Sequence, residues 1–282
     1  MKCLVAWTFL VIHGSLAIHL LDPNCVKSQT GISYHIIHGQ NADTKANQWM
    51  VQILLNGDHH CGGSLVTSRF VLTAAHCQSG LQLKARLIGR GGTTLDYDCS
   101  GDSCKPMSAE IDVDDMYIHP DYLSYHQNDI AMFRLAQSVN YTDLVRPICV
   151  VQFSYWEPDH YELLNEITTF NVTGWGKTER GYNSPKLLST SLYNLDRTFC
   201  LNIYWRKIGQ SHICAGHAIS ATCTGDSGGP LSAERTFLGF SRTFLFGLTS
   251  YGIPSCDQPS VFTNVLYYSR WIGHIVDKYT PN

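Results

Sequence analysis

The sequence lacks a strong imbalance of charge, a low-complexity stretch and a repeat of fixed period. Its 282 residues contain 20 Lys and Arg against 23 Asp and Glu, a formal net charge of -3. A balance so close to neutral argues against nucleic acid or an anionic membrane as the main partner. With 44% hydrophobic residues, the chain has enough apolar side chains for a large core, which argues against a disordered protein.

Cys-x-x-Cys pairs are also absent, although the chain has 11 cysteines. Most structural zinc sites and many redox motifs use that spacing. Disulfides in an oxidising compartment therefore explain the cysteines better than a metal or redox protein does. The adjacent His59 and His60 do not change this interpretation, because neighbours on a strand point to opposite faces. We expect no cofactor and no metal.

Long apolar runs are missing except at the N-terminus. Met1-Lys2 is followed by the apolar run Cys3–Ile12 and by the small residues Ser15 and Ala17. This pattern predicts a signal peptide cleaved after Ala17, in a run too short to span a bilayer. A short anchor left in place is the alternative. Removing residues 1–17 removes Cys3 and leaves ten cysteines, the even number expected of a secreted disulfide framework.

The remaining chain is a short segment of mixed polarity, residues 18–35, followed by a uniform region from Ile36 onward. In that region short β-rich runs alternate with clusters of Gly, Asn, Asp and Pro. The clearest runs are Trp49–Leu55, Arg69–Leu72, Ala85–Ile88 and Phe244–Thr249. Helical spacing is evident at the C-terminus, for Tyr267, Trp271, Ile275 and Val276. The pattern predicts a mostly β domain, sandwich or barrel, closed by a C-terminal helix.

Three short segments contain the residue types of nucleophilic catalysis. His76 ends an apolar run, Asp129 precedes another, and Ser227 lies in the glycine-rich stretch Thr224–Pro230. A serine hydroxyl is a weak nucleophile until a base such as imidazole takes its proton. A buried carboxylate fixes the tautomer of that imidazole. Glycines beside the serine let backbone N–H groups approach a developing oxyanion.

In this order the three segments resemble the chymotrypsin-like serine proteases of the trypsin family. Further matching segments carry the resemblance from about Ile36 to the C-terminus: Cys61-Gly62-Gly63-Ser64-Leu65, Gly174-Trp175-Gly176, Thr249-Ser250-Tyr251-Gly252 and Val261-Phe262-Thr263-Asn264-Val265. The resemblance implies two antiparallel six-stranded β-barrels with the active site in the cleft between them. It implies Ser227 as nucleophile, His76 as general base and then acid, and Asp129 as the orienting carboxylate. The N–H groups of Gly225 and Ser227 would form the oxyanion hole.

The expected substrate-binding residues depart from the trypsin-like pattern. Ser250 and Gly252 resemble the backbone edge that pairs with an extended substrate. Ala221 stands where trypsin-like members have an aspartate, so a substrate Lys or Arg would lack its counter-ion. Ser260 replaces a glycine and is expected to narrow the pocket slightly. Asp257 either places a charge at the rim or is a solvated loop acid, the more common situation.

The expected activation junction departs from the family as well. Ile36-Ile37-His38-Gly39 is a typical start, but His35 stands where the family has Arg or Lys. A trypsin-like activator finds no cation to pair with there. Either another kind of protease activates the chain, or activation is poor. The resemblance implies that the new Ile36 ammonium binds Asp226 and orders the site, so the precursor is expected to be nearly inactive.

The resemblance also implies disulfides, whose pairing the sequence alone does not fix. Three bridges match the family: Cys61–Cys77, Cys200–Cys214 and Cys223–Cys256. Cys99 and Cys104 are expected to close a small local loop, and Cys25 would then pair with Cys149. That last bond tethers the propeptide, which resembles the insect clip-type proteases, although the 18 residues before Ile36 are too few for a clip domain.

Two further features concern ions and glycans. Arg90 stands where calcium-binding members have a glutamate, so no calcium is expected. Asn140-Tyr141-Thr142 lies in a polar loop and is the expected glycosylation site. Asn171-Val172-Thr173 falls in a predicted strand and is a weaker candidate.

We interpret the chain as a secreted, extracellular serine endopeptidase made as a zymogen. Residues 1–17 would be the signal peptide, 18–35 the propeptide and 36–282 the protease domain. Expected partners are a protein or peptide substrate, an activating protease of unknown specificity and serpin-type inhibitors. We expect a monomer, with no nucleic acid and no membrane as partner. The alternative is a catalytically silent homologue that acts as an extracellular binding or regulatory protein; His35 and Ala221 keep it open, whereas the intact triad favours the enzyme.

Overall fold

The computed structural model describes residues 19–28, 40–87, 97–100, 103–106, 110–124, 127–153, 161–178, 182–217 and 222–280. Residues 1–17, the His35–Ile36 junction, Arg90 and Ala221 lie outside these ranges. What the sequence predicts of them therefore stays a prediction.

The described strands are short and are numbered here in chain order. They are β1 (His19–Leu20), β2 (Gln40–Asn41), β3 (Met50–Leu55), β4 (Asp58–Leu65), β5 (Phe70–Thr73), β6 (Leu83–Leu87), β7 (Tyr97–Ser100), β8 (Ser103–Pro106), β9 (Glu110–Ile118), β10 (Ala131–Leu135), β11 (Val151–Gln152), β12 (Thr169–Gly174), β13 (Leu188–Leu195), β14 (His212–Gly216), β15 (Pro230–Phe237), β16 (Phe240–Tyr251) and β17 (Ser260–Asn264). A 3₁₀ turn covers Ala75–Cys77, and the α-helices are α1 (Tyr161–Asn165), α2 (Arg197–Tyr204) and α3 (Ser269–Tyr279).

The first barrel is a closed antiparallel sheet of six strands, in the order β10, β5, β4, β3, β6 and β9. Strand β6 shows how the sequence produces it, because alternate side chains point to opposite faces of a strand. Leu83 and Ala85 are buried in the barrel, whereas Lys84 lies outside with its ammonium 3.7 Å from the Asp112 carboxylate of β9. The buried side chains form one apolar core that includes Phe133 of β10.

The second barrel contains β12, β15, β16, β17, β14 and β13, and it closes because β13 also pairs with β12. Strand β2 is added to β13 through the pairing Leu188↔Asn41. Phe170, Phe246 and Phe262 fill the barrel core. Two closed antiparallel barrels confirm the predicted fold class.

A third cluster of buried side chains joins the two barrels. Phe70 and Ile130 contribute from the first barrel and Leu248 from the second, and α3 packs against them through Ile272. The predicted helix face is partly wrong, because Tyr267 is 46% exposed. Helix α3 begins two residues after Tyr267, so the buried face starts from Tyr268 instead. No helix within the described ranges is long and apolar enough to cross a membrane.

The segment 19–28 packs along the outside of this core. Strand β1 pairs with β11 through Leu20↔Val151, and the Val26 N–H donates to the Pro147 carbonyl at 2.9 Å. A disulfide joins Cys25 to Cys149. The segment is therefore held both by a covalent bond and by backbone hydrogen bonds.

Four disulfides are present among the described residues; three are pairs that the family resemblance implies, and the fourth, Cys25–Cys149, is the pair predicted from the remaining cysteines. They are Cys25–Cys149, Cys61–Cys77, Cys200–Cys214 and Cys223–Cys256. Cys99 and Cys104 occupy directly opposite positions of the β7–β8 hairpin. This register agrees with the expected local loop, and the Cys99–Cys104 bond stays a prediction.

Candidate active site

His76 and Asp129 meet because their strands are neighbours. His76 lies in the 3₁₀ turn that follows β5, Asp129 lies just before β10, and the two strands pair through Ala131↔Thr73. The His76 Nδ1 is 2.8 Å from the Asp129 Oδ2, and the His76 backbone N–H donates to the Oδ1 at 3.0 Å. The carboxylate therefore holds both the ring and the backbone of the histidine.

Asp129 receives further hydrogen bonds from the second barrel. The Ser250 hydroxyl donates to its Oδ2 at 2.5 Å, and the Thr263 hydroxyl donates to its backbone carbonyl at 2.8 Å. Asp129 is only 2% exposed, so these donors replace the water that a buried carboxylate loses. The sequence predicted Ser250 as a backbone contact only. Its hydroxyl role was missed because it lies 121 residues from Asp129, and no local pattern relates the two.

Ser227 lies in a tight turn whose glycines the backbone requires. Gly225 and Gly228 have φ values of +99° and +74°, a region that side chains rarely allow. A Cβ on Gly228 would lie 2.1 Å from the Thr73 Oγ1, so the turn is in direct contact with the end of β5. The Ser227 carbonyl also accepts from the Gly62 N–H at 2.8 Å. The turn with Ser227 is thus fixed against the strand that leads to His76.

The backbone N–H groups of this turn fall into two sets. Those of residues 226, 228 and 229 donate to backbone carbonyls at 2.8–3.0 Å. Those of Gly225 and Ser227 donate to no acceptor within the described parts of the chain. The second set is the pair that the family resemblance assigns to the oxyanion hole.

His59 is a site residue that the sequence did not predict. Its Nε2 lies 2.8 Å from the carbonyl oxygen of Gly225, so this nitrogen carries the proton, because a carbonyl only accepts. Its Nδ1 is buried and has no hydrogen-bond partner among the residues that the structure describes, and the ring lies 6.0 Å from that of Trp175. Burial lowers the pKa of His59, although the hydrogen bond to Gly225 opposes the shift.

Asp226 points away from the Ser227 side of the turn, into the Gly174-Trp175-Gly176 segment. Its carboxylate accepts from the N–H groups of Gly176 at 2.8 Å and of Cys223 at 3.0 Å. A Cβ on Gly174 or Gly176 would come within 2.2–2.3 Å of that carboxylate, which explains the two glycines. Burial raises the pKa of Asp226, and the two backbone donors partly oppose the shift.

The expected specificity residues lie together on the second barrel. Ser260 is buried, accepts from the Thr222 hydroxyl at 2.8 Å, and would lie 3.1 Å from a Cβ on Gly252. Asp257 is exposed, and its carboxylate accepts from the Ser255 hydroxyl at 2.6 Å. This position favours the solvated loop acid among the two interpretations of Asp257.

The expected substrate edge is the end of β16. Strand β15 pairs with β16 only as far as Pro230↔Leu248, whereas β16 continues to Tyr251. The pairing with β17 shifts register between Thr249 and Tyr251, so Ser250 lies at a bulge. The strand therefore extends beyond its neighbour where an extended peptide is expected to pair.

Two remaining features bear on glycans and metals. Asn140 is exposed in the segment after β10, and Asn171 is exposed on β12, where its Oδ1 accepts from the Ser191 hydroxyl. Cys61, His76 and Cys77 place potential ligand atoms within 4.8 Å of one another. Both sulfurs belong to one disulfide, so this group offers no thiolate to a metal.

Two closed barrels, a buried Asp129 bound to His76, and a serine in a glycine-flanked turn that packs on the end of β5 define the class of chymotrypsin-like serine proteases. A sequence model of the family described as Trypsin matches residues 36–272, and the chain belongs to that family.

Among its relatives, Serine protease grass of Drosophila melanogaster is 31% identical over 277 residues, covering 92% of this chain and 72% of that protein. Serine protease ea of the same organism is 35% identical over 240 residues, covering 78% of this chain and 60% of that protein. This chain therefore spans less than two thirds of the length of Serine protease ea. The crystal structure of the drosophila Grass clip serine protease of the Toll pathway matches with a TM-score of 0.72 at 30% identity, over 88% of this chain and 74% of that one.

Proposed function

We propose that the protein is a secreted serine endopeptidase, made as a zymogen, that cleaves peptide bonds through an acyl-enzyme. The observation that carries the proposal is the hydrogen bond between buried Asp129 and His76, next to the strand end against which the Ser227 turn packs. Because Asp129 binds the Nδ1 of His76, the Nε2 is left to take the proton of the serine hydroxyl.

In the proposed reaction the Ser227 Oγ attacks the scissile carbonyl while the His76 Nε2 takes its proton. The carbonyl electron pair moves onto the oxygen, and the N–H groups of Gly225 and Ser227 stabilise that oxyanion. The tetrahedral species collapses, the C–N bond breaks, and His76 returns the proton to the leaving amine. Water then attacks the ester by the same route, which releases the acid and restores Ser227.

Activation would require cleavage at His35–Ile36. The new Ile36 ammonium would replace the backbone donors as the partner of Asp226 and order the oxyanion hole. His35 argues for an activator that is not trypsin-like. The propeptide would stay attached after cleavage, because the Cys25–Cys149 bond spans the junction.

The proposed primary specificity is for uncharged side chains. Ala221 offers no carboxylate, and Ser260 already uses its hydroxyl with Thr222, so a substrate cation would be buried without a partner. A medium or large neutral side chain is expected to bind best. Exposed Asn140 is the proposed glycan site. The proposed partners of the protein are a protein substrate, an activating protease and serpin-type inhibitors.

The second candidate is a catalytically silent homologue, favoured by His35 and Ala221. One experiment separates the two: the His35–Ile36 junction is replaced by a known cleavage site, and the cleaved protein is treated with an active-serine phosphonate. We expect stoichiometric labelling of the cleaved protein and none of its Ser227→Ala variant, followed by faster hydrolysis of neutral peptides than of Arg peptides. A cleaved protein that takes no label supports the silent homologue.

A further inference from the structure

Three consecutive exposed residues follow helix α2: Trp205, Arg206 and Lys207. Trp205 is 89% exposed, more than any other large apolar side chain that the structure describes. The chain is anchored on both sides of the three residues, because the Tyr204 hydroxyl donates to a backbone carbonyl at 2.6 Å and Ile208 is only 9% exposed. The fold therefore displays these three side chains together, and we call them the α2 patch.

The backbone conformation of Trp205 is unfavourable for a tryptophan. Its φ of +53° lies in the left-handed region, and its N–H ends α2 by donating to the Leu201 carbonyl at 2.9 Å. Glycine or asparagine usually occupies this position at a helix end, because other side chains are sterically strained there. The exposed indole adds the cost of a large apolar surface in water. Strain of this kind is common where a residue contacts another molecule.

The two cations of the α2 patch are not neutralised by the protein. Arg206 and Lys207 are exposed, and no ion pair joins either of them to a carboxylate in the described parts of the chain. By contrast, Arg69, Arg86 and Arg134 of the first barrel each lie 2.5–3.8 Å from an acidic side chain. Two free cations beside an exposed indole fit an occupant that carries both acidic and apolar groups.

The α2 patch adjoins the end of β16, where an extended substrate is expected to pair. The Tyr204 ring packs edge-on against the Tyr251 ring, with the ring centres 5.2 Å apart. Burial raises the pKa of Tyr251 to about 12, and the positive charge of Arg206 opposes that shift. Arg206 is therefore within electrostatic reach of Tyr251. A peptide that pairs with the end of β16 would continue toward the α2 patch.

The direction of this pairing identifies the part of the substrate that arrives there. Ser250 contacts Asp129, and the strand continues from Ser250 to Tyr251 and exposed Gly252. A peptide antiparallel to β16 runs from the Gly252 end to the Ser250 end, so its residues upstream of the scissile bond lie at the Gly252 end. Three upstream residues would pair with residues 250–252. The fourth to sixth upstream residues would then be the first to pass beyond the strand.

We propose that the α2 patch docks an upstream segment of the protein substrate that contains acidic and apolar residues. The acidic residues would bind Arg206 and Lys207, and an apolar side chain would cover the indole of Trp205. The inference rests on the proposed function, because the occupant is the substrate of that site. A sulfated saccharide or an anionic membrane would satisfy the two cations, but neither would continue the strand edge of β16.

The test measures binding and therefore does not require hydrolysis. The full-length protein, cleaved at a replaced His35–Ile36 junction and carrying Ser227→Ala, is titrated with fluorescent peptides. The peptides share one neutral residue at the scissile bond and differ only at the fourth to sixth upstream residues, which are Glu-Leu-Glu, Gln-Leu-Gln or Glu-Gly-Glu. We expect Glu-Leu-Glu to bind at least about fivefold more tightly than the other two, because each of those lacks one kind of group. Equal binding of the three peptides would overturn the proposal.

Trp205→Gly tests the indole. The substitution also relieves the left-handed backbone, so we expect an unchanged or higher Tm together with about tenfold weaker binding of the Glu-Leu-Glu peptide. The matched control is Leu238→Gly, because Leu238 is 83% exposed with a φ of +49° and lies at the other end of β16, in the hairpin before Phe240. This control should leave peptide binding unchanged. A Trp205→Gly protein that binds as tightly as the unsubstituted one would contradict the assignment.

Arg206→Glu tests the charge. It is expected to weaken binding of the Glu-Leu-Glu peptide about tenfold and to make a Lys-Leu-Lys peptide the preferred one, an exchange that a folding defect does not produce. Unchanged preference would contradict the proposal. A heparin hexasaccharide and phosphatidylserine vesicles are added as further probes. If either binds in a manner that depends on Arg206 while the Glu-Leu-Glu peptide does not, the α2 patch serves that ligand and the proposal is overturned.

Failure of the proposed function gives a different result. In that case the cleaved protein with Ser227 intact takes no phosphonate label and hydrolyses none of the peptides. If only the docking proposal fails, the protein is labelled and hydrolyses the three peptides with equal kcat/KM.

Discussion

Asp129 and Asp226 are two acidic side chains of the candidate site with different surroundings. Asp129 is bound by the His76 ring, the His76 backbone and the Ser250 hydroxyl. Asp226 has two backbone donors, and burial raises the pKa of its carboxyl group. Both carboxylate oxygens of Asp129 therefore have donors, whereas the two backbone donors of Asp226 offset its desolvation only in part. The Ile36 ammonium of the proposed activation would offset the rest.

The largest expected effect is that of Asp129→Asn. The amide keeps the shape of the side chain but stabilises the wrong His76 tautomer, so kcat/KM of the activated enzyme should fall about 10⁴-fold. Kinetics on a neutral peptide checks the loss, and circular dichroism checks that the fold is retained. A loss in kcat/KM of less than about tenfold would show that Asp129 is not needed for proton transfer by His76.

Asp226→Asn should act only after cleavage. Breaking a buried ion pair costs about 3–5 kcal/mol, which corresponds to a loss of roughly 10² to 5 × 10³ in kcat/KM of the cleaved enzyme. The uncleaved precursor should keep its fold and its very low activity. The measurement is phosphonate labelling before and after cleavage, with Asp257→Asn as the control. A fully active cleaved Asp226→Asn protein would contradict the proposed activation.

Ser250→Ala tests whether the partners of Asp129 matter individually. It removes one of the hydrogen bonds to a buried charge, so we expect a loss of about tenfold in kcat/KM. A positioning role should appear mainly in kcat and in the pH profile, whereas loss of a substrate contact should appear in KM. Ser250→Thr, which keeps the hydroxyl, should restore part of the rate.

The smallest expected effect concerns His59 and acid. The pKa of His59 in the folded state lies below the unfolded value of 6.5, so the unfolded chain takes up this proton first as the pH falls. Stability that is present above pH 6.5 should be lost between pH 6.5 and the lower folded pKa. His59→Gln should flatten this part of the Tm–pH curve. A slope identical to that of the unmodified protein would assign the loss to other groups.

The sequence predicted those parts of the molecule that local chemistry identifies. The β-rich runs led to the strands, and His76, Asp129 and Ser227 could be found from their neighbours, with the trypsin family confirmed by the comparison of residues 36–272. The predicted face of α3 was right for Trp271, Ile275 and Val276 and wrong for Tyr267, because the periodicity alone did not locate the helix start at Ser269.

Contacts between segments that are distant in the chain could not be predicted from the sequence. The Ser250 hydroxyl reaches Asp129 through a bulge in β16, and bulges follow from strand register and not from composition. His59 was considered only as a potential metal ligand, because its contact with Gly225 depends on how β4 meets the Ser227 turn. The burial of Arg242 was not predicted either, because an arginine near a hairpin is ordinarily exposed to solvent.

The Cys25–Cys149 bond has a consequence for what activation leaves behind. Cleavage at His35–Ile36 would divide the chain in two, but the N-terminal segment would stay attached because Cys25 remains bonded to Cys149. A tethered fragment stays at a high effective concentration and is not diluted away. The activated enzyme would therefore travel as a two-chain molecule, in which residues 23–27 stay bound to the two-barrel body.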